Sequence, residues 1–154
     1  MSDEIYPVEL VAPDIEPYRK GNIGIDFVTS FDSGKPGPHV MINAVTHGNE
    51  ICGAIALDHL FKASVRPKHG KLTLGFINHL AYSNFDPENP GASRFVDADF
   101  NSVWVEDRLE GLEVTAELRR ARELRPVFDT VDLLLDIHSM GTYSKPLMIC
   151  NGLK

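Results

Sequence analysis

The sequence predicts an α/β fold, a mostly parallel or mixed sheet flanked by helices, and three observations carry that reading. Residues 40–45 are a nearly continuous apolar run without alternation, the pattern of a strand covered on both faces. A helical stretch and then a second apolar run follow, an order that joins parallel strands through a right-handed crossover. A third apolar run, 131–137, comes after another helical stretch.

In chain order, a proline-punctuated start leads to a strand over 24–31, ended by the turn formers Ser33-Gly34-Lys35-Pro36-Gly37-Pro38. The strand 40–45 stops at Thr46-His47-Gly48-Asn49-Glu50. From there Ile51, Ile55, Leu60 and Phe61 keep roughly helical spacing as far as Ser64, with Asn49 as N-cap and Glu50 near the positive helix end. A strand over 71–78 comes next. Residues 79–112 show little periodicity and many turn formers, yet Phe85, Phe95, Phe100 and Trp104 argue for an ordered segment that forms a pocket wall. A helix over 115–128 with Thr115 as cap, the strand 131–137 and a short strand over 146–150 complete the reading. With no repeat, low-complexity tract or linker, residues 1–154 read as a single domain.

Fifteen basic and twenty-two acidic side chains give a net charge of -7, which repels phosphate backbones and anionic membranes, so neither nucleic acid nor membrane is an expected partner. The cluster Arg119, Arg120, Arg122 and Arg125 is interleaved with Glu117 and Glu123 and reads as a solvated, salt-bridged helix face. The start MSDEIYPVEL has no basic stretch before an apolar run, and no segment has the length to cross a bilayer, which makes a cytoplasmic protein the expectation. Cys52 and Cys150 are too few for a disulfide scaffold and are expected to be buried free thiols.

In an open α/β sheet, ligands collect beyond the carboxyl ends of the strands. Two predicted strands end in histidine, His47 after 40–45 and His138 after 131–137, so a parallel sheet projects both imidazoles at one edge. Glu50, three residues after His47 at a helix entry, brings a carboxylate toward the same point. Two nitrogens and one carboxylate form a donor set suited to catalytic zinc, with a position left for water. Spacing alone leaves two readings open, zinc ligands or hydrogen-bonded histidines. Asp136, two residues before His138 on the same strand face, either orients the imidazole or is structural.

Three ordered motifs carry a resemblance. His47-Gly48-Asn49-Glu50 after an apolar strand, Ser93-Arg94-Phe95-Val96-Asp97-Ala98-Asp99-Phe100-Asn101, and Leu135-Asp136-Ile137-His138 together resemble the aspartoacylase and succinylglutamate desuccinylase family of zinc carboxypeptidase-like hydrolases, from about Val40 to Gly152. The resemblance implies a Zn2+ ion bound by His47, Glu50 and His138, which activates a water and polarises the scissile carbonyl. It gives Arg94 the role of stabilising the oxyanion and Asn101 that of holding a substrate carboxylate. The implied activity is hydrolysis of a linear amide, an N-acyl amino acid or related small molecule, with homo-oligomerisation left open.

Three departures from the family pattern stand out. Ser102 occupies the place of an arginine that forms a forked carboxylate clamp, so bidentate recognition would fall to Arg108 or Arg122. His79 stands where proline often follows asparagine, as a pocket residue or an ordinary histidine. The family's general-base glutamate lies well downstream of the third ligand, and Ser139 to Lys154 contain no carboxylate. The expectation is therefore an amino-terminal portion of a longer catalytic domain. Its rivals are a zinc-binding module without catalysis and a zinc carboxypeptidase acting on peptides. A serine hydrolase and a dinucleotide-binding domain lack their GxSxG and GxGxxG motifs here.

Overall fold

The computed structural model describes residues 7–141 and 144–150. The first six and last four residues, which the leader reading and the end of the family resemblance touch, lie outside them. Four strands, β1 (Val28–Asp32), β2 (His39–Ala44), β3 (Lys71–Phe76) and β4 (Leu133–Ile137), form one sheet in the order β1-β3-β2-β4. β2 runs parallel to β3 and to β4, whereas β1 is antiparallel to β3, so the sheet is mixed. The helices are α1 (Ile51–Lys62), two single-turn pieces α2 (His79–Tyr82) and α3 (Glu106–Leu109), and α4 (Ala116–Phe128).

The sheet separates two cores, as period-2 side-chain alternation requires. Ala44, Leu72, Leu74 and Phe76 pack with Ile51, Ala54 and Leu57 of α1. Met41, Val28 and Ile77 pack on the other side with Leu118, Ala121 and Leu124 of α4 and with Phe100 and Val103. Burial on both faces explains the unbroken apolar runs of β2 and β3. β4 is different: it is an edge strand that pairs only with β2 among the described residues, and its Leu133, Leu134 and Leu135 are exposed.

Several expectations are corrected. The first strand begins at Val28 rather than 24, because Phe27 takes a left-handed backbone (φ 60) that turns the chain just before it. Glu50, not Asn49, is the N-cap of α1, and no side chain bonds the helix's first N–H groups. Residues 146–150 form no strand; Leu147, Met148 and Ile149 are exposed and no described strand lies beside them. Cys52 and Cys150 are free thiols, but Cys52 is half-buried and Cys150 exposed. The 79–112 segment is ordered by short helical turns, including 3-10 turns Pro90–Ser93 and Phe100–Val103. Thr115 caps α4 as expected, accepting from the Leu118 N–H.

The basic cluster is not a uniformly solvated face. Arg120 and Glu117 are buried, and the Arg120 guanidinium donates to the carbonyls of Phe76, Ile77 and Asp26, tying α4 to the end of β3. Arg122 donates to the carbonyls of Arg108, Leu109, Gly111 and Glu113, closing the loop before α4. These bonds satisfy groups that burial would otherwise orphan.

His79 stacks on Phe27, with ring centroids 4.5 Å apart, and its Nδ1 is buried without a partner. Burial, helped by the nearby charges of Arg120 and Arg19, pushes its pKa down to about 4. Between its ordinary value and pH 4 the unfolded chain binds a proton that the folded chain refuses, so this residue makes stability fall as the pH is lowered through that window. We expect His79→Phe, which keeps the stack and removes the orphaned nitrogen, to flatten the decline in denaturation midpoint between neutral pH and pH 4. An unchanged pH slope in the variant contradicts this account.

Candidate metal centre

Parallel pairing of β2 with β4 sets Ala44 opposite Ile137, so the chains leaving both strands emerge at the same sheet edge. β2 delivers His47 through a tight turn in which Val45 takes φ 54 while fully buried. A β-branched residue in the left-handed region costs about 1–3 kcal/mol. Its carbonyl accepts the Asn78 N–H, and that bond with the surrounding core helps to hold the turn. β4 delivers His138 directly after Ile137.

Glu50 joins the two. His47 Nδ1 lies 2.8 Å from Glu50 Oε1 and His138 Nδ1 lies 2.8 Å from Glu50 Oε2, and the Ser139 N–H donates to the same Oε2. One donor atom from each of His47, Glu50 and His138 falls within 4.8 Å of the others, so the three fit a single cation. His47 and Glu50 are buried, and the side with His138 opens to solvent. Cys52, although close, donates its thiol to the His138 carbonyl.

The outward ring nitrogens are held as well. His138 Nε2 is 2.8 Å from Asp136 Oδ2, and Asp136 in turn accepts from the Thr46 hydroxyl. His47 Nε2 is 3.2 Å from Asp99 Oδ1. Each ring thus faces a carboxylate at both nitrogens; with a cation on the Nδ1 side, the carboxylate at Nε2 is the partner that orients a metal-binding histidine. Arg94 reaches across, donating to Glu50 Oε1 (3.3 Å) and Asp99 Oδ2 (3.4 Å). Its Nη2 also lies 3.1 Å from His47 Nε2.

Charge favours a cation here. Without a cation His138 is itself protonated between its two carboxylates, and a divalent ion on the Nδ1 side would take the place of that proton beside three carboxylates (Glu50, Asp99, Asp136) and one guanidinium (Arg94). Burial would raise the Glu50 pKa, yet hydrogen bonds from His138 and His47 outweigh it and hold the carboxyl at about 2. Asp136 and then Glu50 push His138 up to about 10.

The sequence-predicted residues are thus brought together in large part. His47, Glu50, His138 and Arg94 converge, and Asp136 faces the imidazole. Asn101 comes less close: its Nδ2 is 3.4 Å from His47 Nε2, its N–H donates to Asp99, and its side chain otherwise faces out. His79 is elsewhere, on Phe27. Neither Arg108 nor Arg122 supplies the missing fork, since Arg108 bonds Ser102 Oγ while pairing with Glu113 and Arg122 is committed to loop carbonyls. Asp99 was missed as a partner of His47, although its place between Arg94 and Asn101 in the motif was a signal. A cavity of about 530 Å³ adjoins the centre, with Asn43, Thr46, Asp136 and Asn101 beside Phe100 and Trp104 in its lining.

Gly48 is where the two loops meet. Its N–H donates to the Arg94 carbonyl, and a Cβ there would sit 2.3 Å from the Ser93 carbonyl oxygen and 2.4 Å from the Ala81 carbonyl carbon. We expect Gly48→Ala to cost about 1–3 kcal/mol and lower the melting temperature by roughly 3–10 °C as the arginine loop is forced off. A variant that melts with the parent contradicts this close approach.

The model of the succinylglutamate desuccinylase/aspartoacylase catalytic domain matches residues 36–152. Among curated proteins, aspartoacylase of Xenopus tropicalis is 29% identical over 135 residues, covering 77% of this chain and 39% of that protein. Among solved structures, succinylglutamate desuccinylase from Chromobacterium violaceum matches with a TM-score of 0.58 at 18% identity, over 74% of this chain and 37% of that one. An aspartoacylase family protein from Mesorhizobium loti matches with a TM-score of 0.55 at 24% identity, over 79% and 38%. These two likenesses speak for the fold. The chain spans about two fifths of the length of the relatives it matches. It belongs to the succinylglutamate desuccinylase/aspartoacylase family.

Proposed function

We propose that residues 1–154 are part of a single catalytic domain of a zinc-dependent amidohydrolase that releases the acyl group of an N-acyl amino acid or a related linear amide. One observation carries the reading: the Nδ1 atoms of His47 and His138 converge on the two oxygens of Glu50, at one sheet edge, with carboxylates behind both rings. Zinc held by His47, Glu50 and His138 would polarise the scissile carbonyl and lower the pKa of a water.

The chain's own residues do the rest. Arg94, about two fifths exposed, presents a guanidinium beside the ligand set, where it stabilises negative charge developing on the carbonyl oxygen. Asp99 and Asp136 hold the Nε2 side of the two rings and so orient their Nδ1 atoms. Asn101 offers an amide to a substrate carboxylate. With Ser102 in place of an arginine and Arg108 neutralised by Glu113, that carboxylate meets no forked cation among the described residues, which points away from strong reliance on it. A cytoplasmic location belongs to the same proposal; no helix among the described residues is long and apolar enough to cross a membrane.

A second reading has its own support. Glu50, Asp99 and Asp136, the carboxylates of the centre, are each engaged with histidine, so none is free to accept the proton of an attacking water. On that ground residues 1–154 alone bind zinc without turnover, and the proton acceptor belongs to a part of the enzyme outside them.

Zinc content after purification without chelator decides the first point. We expect about one zinc per chain, lost in His47→Ala, Glu50→Ala and His138→Ala, and a roughly 10–100-fold weaker affinity in Asp136→Asn. Wild-type chain that stays empty when zinc is supplied sinks the ligand assignment. In a longer protein containing this domain, Arg94→Ala should lower kcat on N-acyl amino acids by about 10²–10³-fold with little change in zinc content. An unaltered kcat removes Arg94 from the chemistry.

A further inference from the structure

Glu117, the second residue of α4, is wholly buried and pairs with no cation among the described residues. Its carboxylate instead accepts four N–H donors. Oε1 takes the Val96 backbone N–H (2.6 Å) and Asn78 Nδ2 (3.2 Å), and Oε2 takes the backbone N–H groups of Asp97 and Ala98 (3.1 Å each). An ionised carboxylate is acceptor-only with about four lone-pair sites, so it is saturated, and the positive end of α4 favours its charge. The loop answers in kind: Asp97 Oδ2 accepts the Ala116 N–H, 2.7 Å away, in the first turn of the same helix.

Three successive amides on one carboxylate fix the backbone of 96–98, the stretch between Arg94 and Asp99. Arg94 reaches Glu50, and Asp99 reaches His47 Nε2. Arg120, one turn on, anchors α4 to the carbonyls at the end of β3, which makes the helix a fixed platform. Asn78 ties the same carboxylate to the first turn of α2, since its Oδ1 accepts the Ala81 N–H.

We propose that Glu117 is a positioning residue of the metal centre: by clamping backbone 96–98 it places Asp99 against His47 Nε2, and so fixes the orientation of the ring whose Nδ1 faces the cation position. It touches neither ligand nor substrate. The proposal rests on the reading of His47, Glu50 and His138 as ligands, and its test includes a readout that needs no zinc.

Glu117→Gln replaces one acceptor oxygen by a donor, and either orientation of the amide sets that donor against an N–H. In the zinc-free full chain we expect amide exchange at 96–98 to quicken by about tenfold, and the His47 ring nitrogen resonances to move in the direction seen in Asp99→Asn. Zinc affinity should fall by roughly tenfold, and the double variant should bind no more weakly than Asp99→Asn alone, because both changes act through one contact. Unmoved His47 resonances in Glu117→Gln, or additive losses of affinity, overturn the proposal and leave Glu117 a purely structural anchor. If wild-type chain takes up no zinc, the ligand reading falls while the His47 resonances still decide on Glu117. Should Glu117→Gln fail to fold, Asp97→Ala breaks the reciprocal bond from the exposed loop side and must shift the same resonances; if it leaves them in place, the proposal is wrong.

Discussion

Everything at the centre depends on β2 and β4 running parallel in one register, with Asn43 opposite Asp136 and Ala44 opposite Ile137. The chain leaves both strands at the same edge, so His47 and His138, far apart in sequence, meet without any long side chain having to span the sheet. An antiparallel pairing would send one histidine to the opposite end. The crossover from β2 through α1 to β3 adds the third donor, since the helix begins directly after Glu50.

Around that edge, acids and bases alternate. Asp136, His138, Glu50, His47 and Asp99 form a row in which each member bonds its neighbours, with Arg94 closing back on Glu50 and Asp99. Buried ionisable groups are tolerable only when paired in this way. A neutral imidazole donates from one nitrogen only, so a divalent cation on the Nδ1 side would complete the row. Behind it stands a framework of further buried charges. Glu117 gathers loop amides and Arg120 gathers strand-end carbonyls, so α4 holds both the arginine loop and the sheet. The strained Val45 turn belongs to the same frame, since its carbonyl is taken by Asn78, which also donates to Glu117.

Much of this was legible because it is local. Strand-ending histidines, the carboxylate three residues on, the Thr115 cap and the apolar runs of β2 and β3 are read from neighbouring residues, and the three motifs in order named the family. What escaped the sequence is non-local or depends on burial. A charge-rich helix suggests a wet surface, yet Glu117 shares the apolar stripe of Ala121 and Leu124 at i, i+4 and i+7, and that spacing was the sign of its burial. The late start of β1 at Val28 goes with a left-handed Phe27 that no propensity announces. Residues 146–150 have strand-like composition but no strand to pair with among the described residues, and composition alone supplies no ladder. His79 was left open by its place after β3, between a pocket residue and an ordinary histidine, and its ring stacks on Phe27.

The most direct test of the central claim is diffraction from zinc-soaked crystals of this chain, recorded on both sides of the zinc absorption edge. The account predicts one anomalous peak, bonded at about 2.0–2.2 Å to Nδ1 of His47, Nδ1 of His138 and the Glu50 carboxylate. A peak on other residues, or a site with no peak and the Glu50 bridge to both histidines intact, would contradict it.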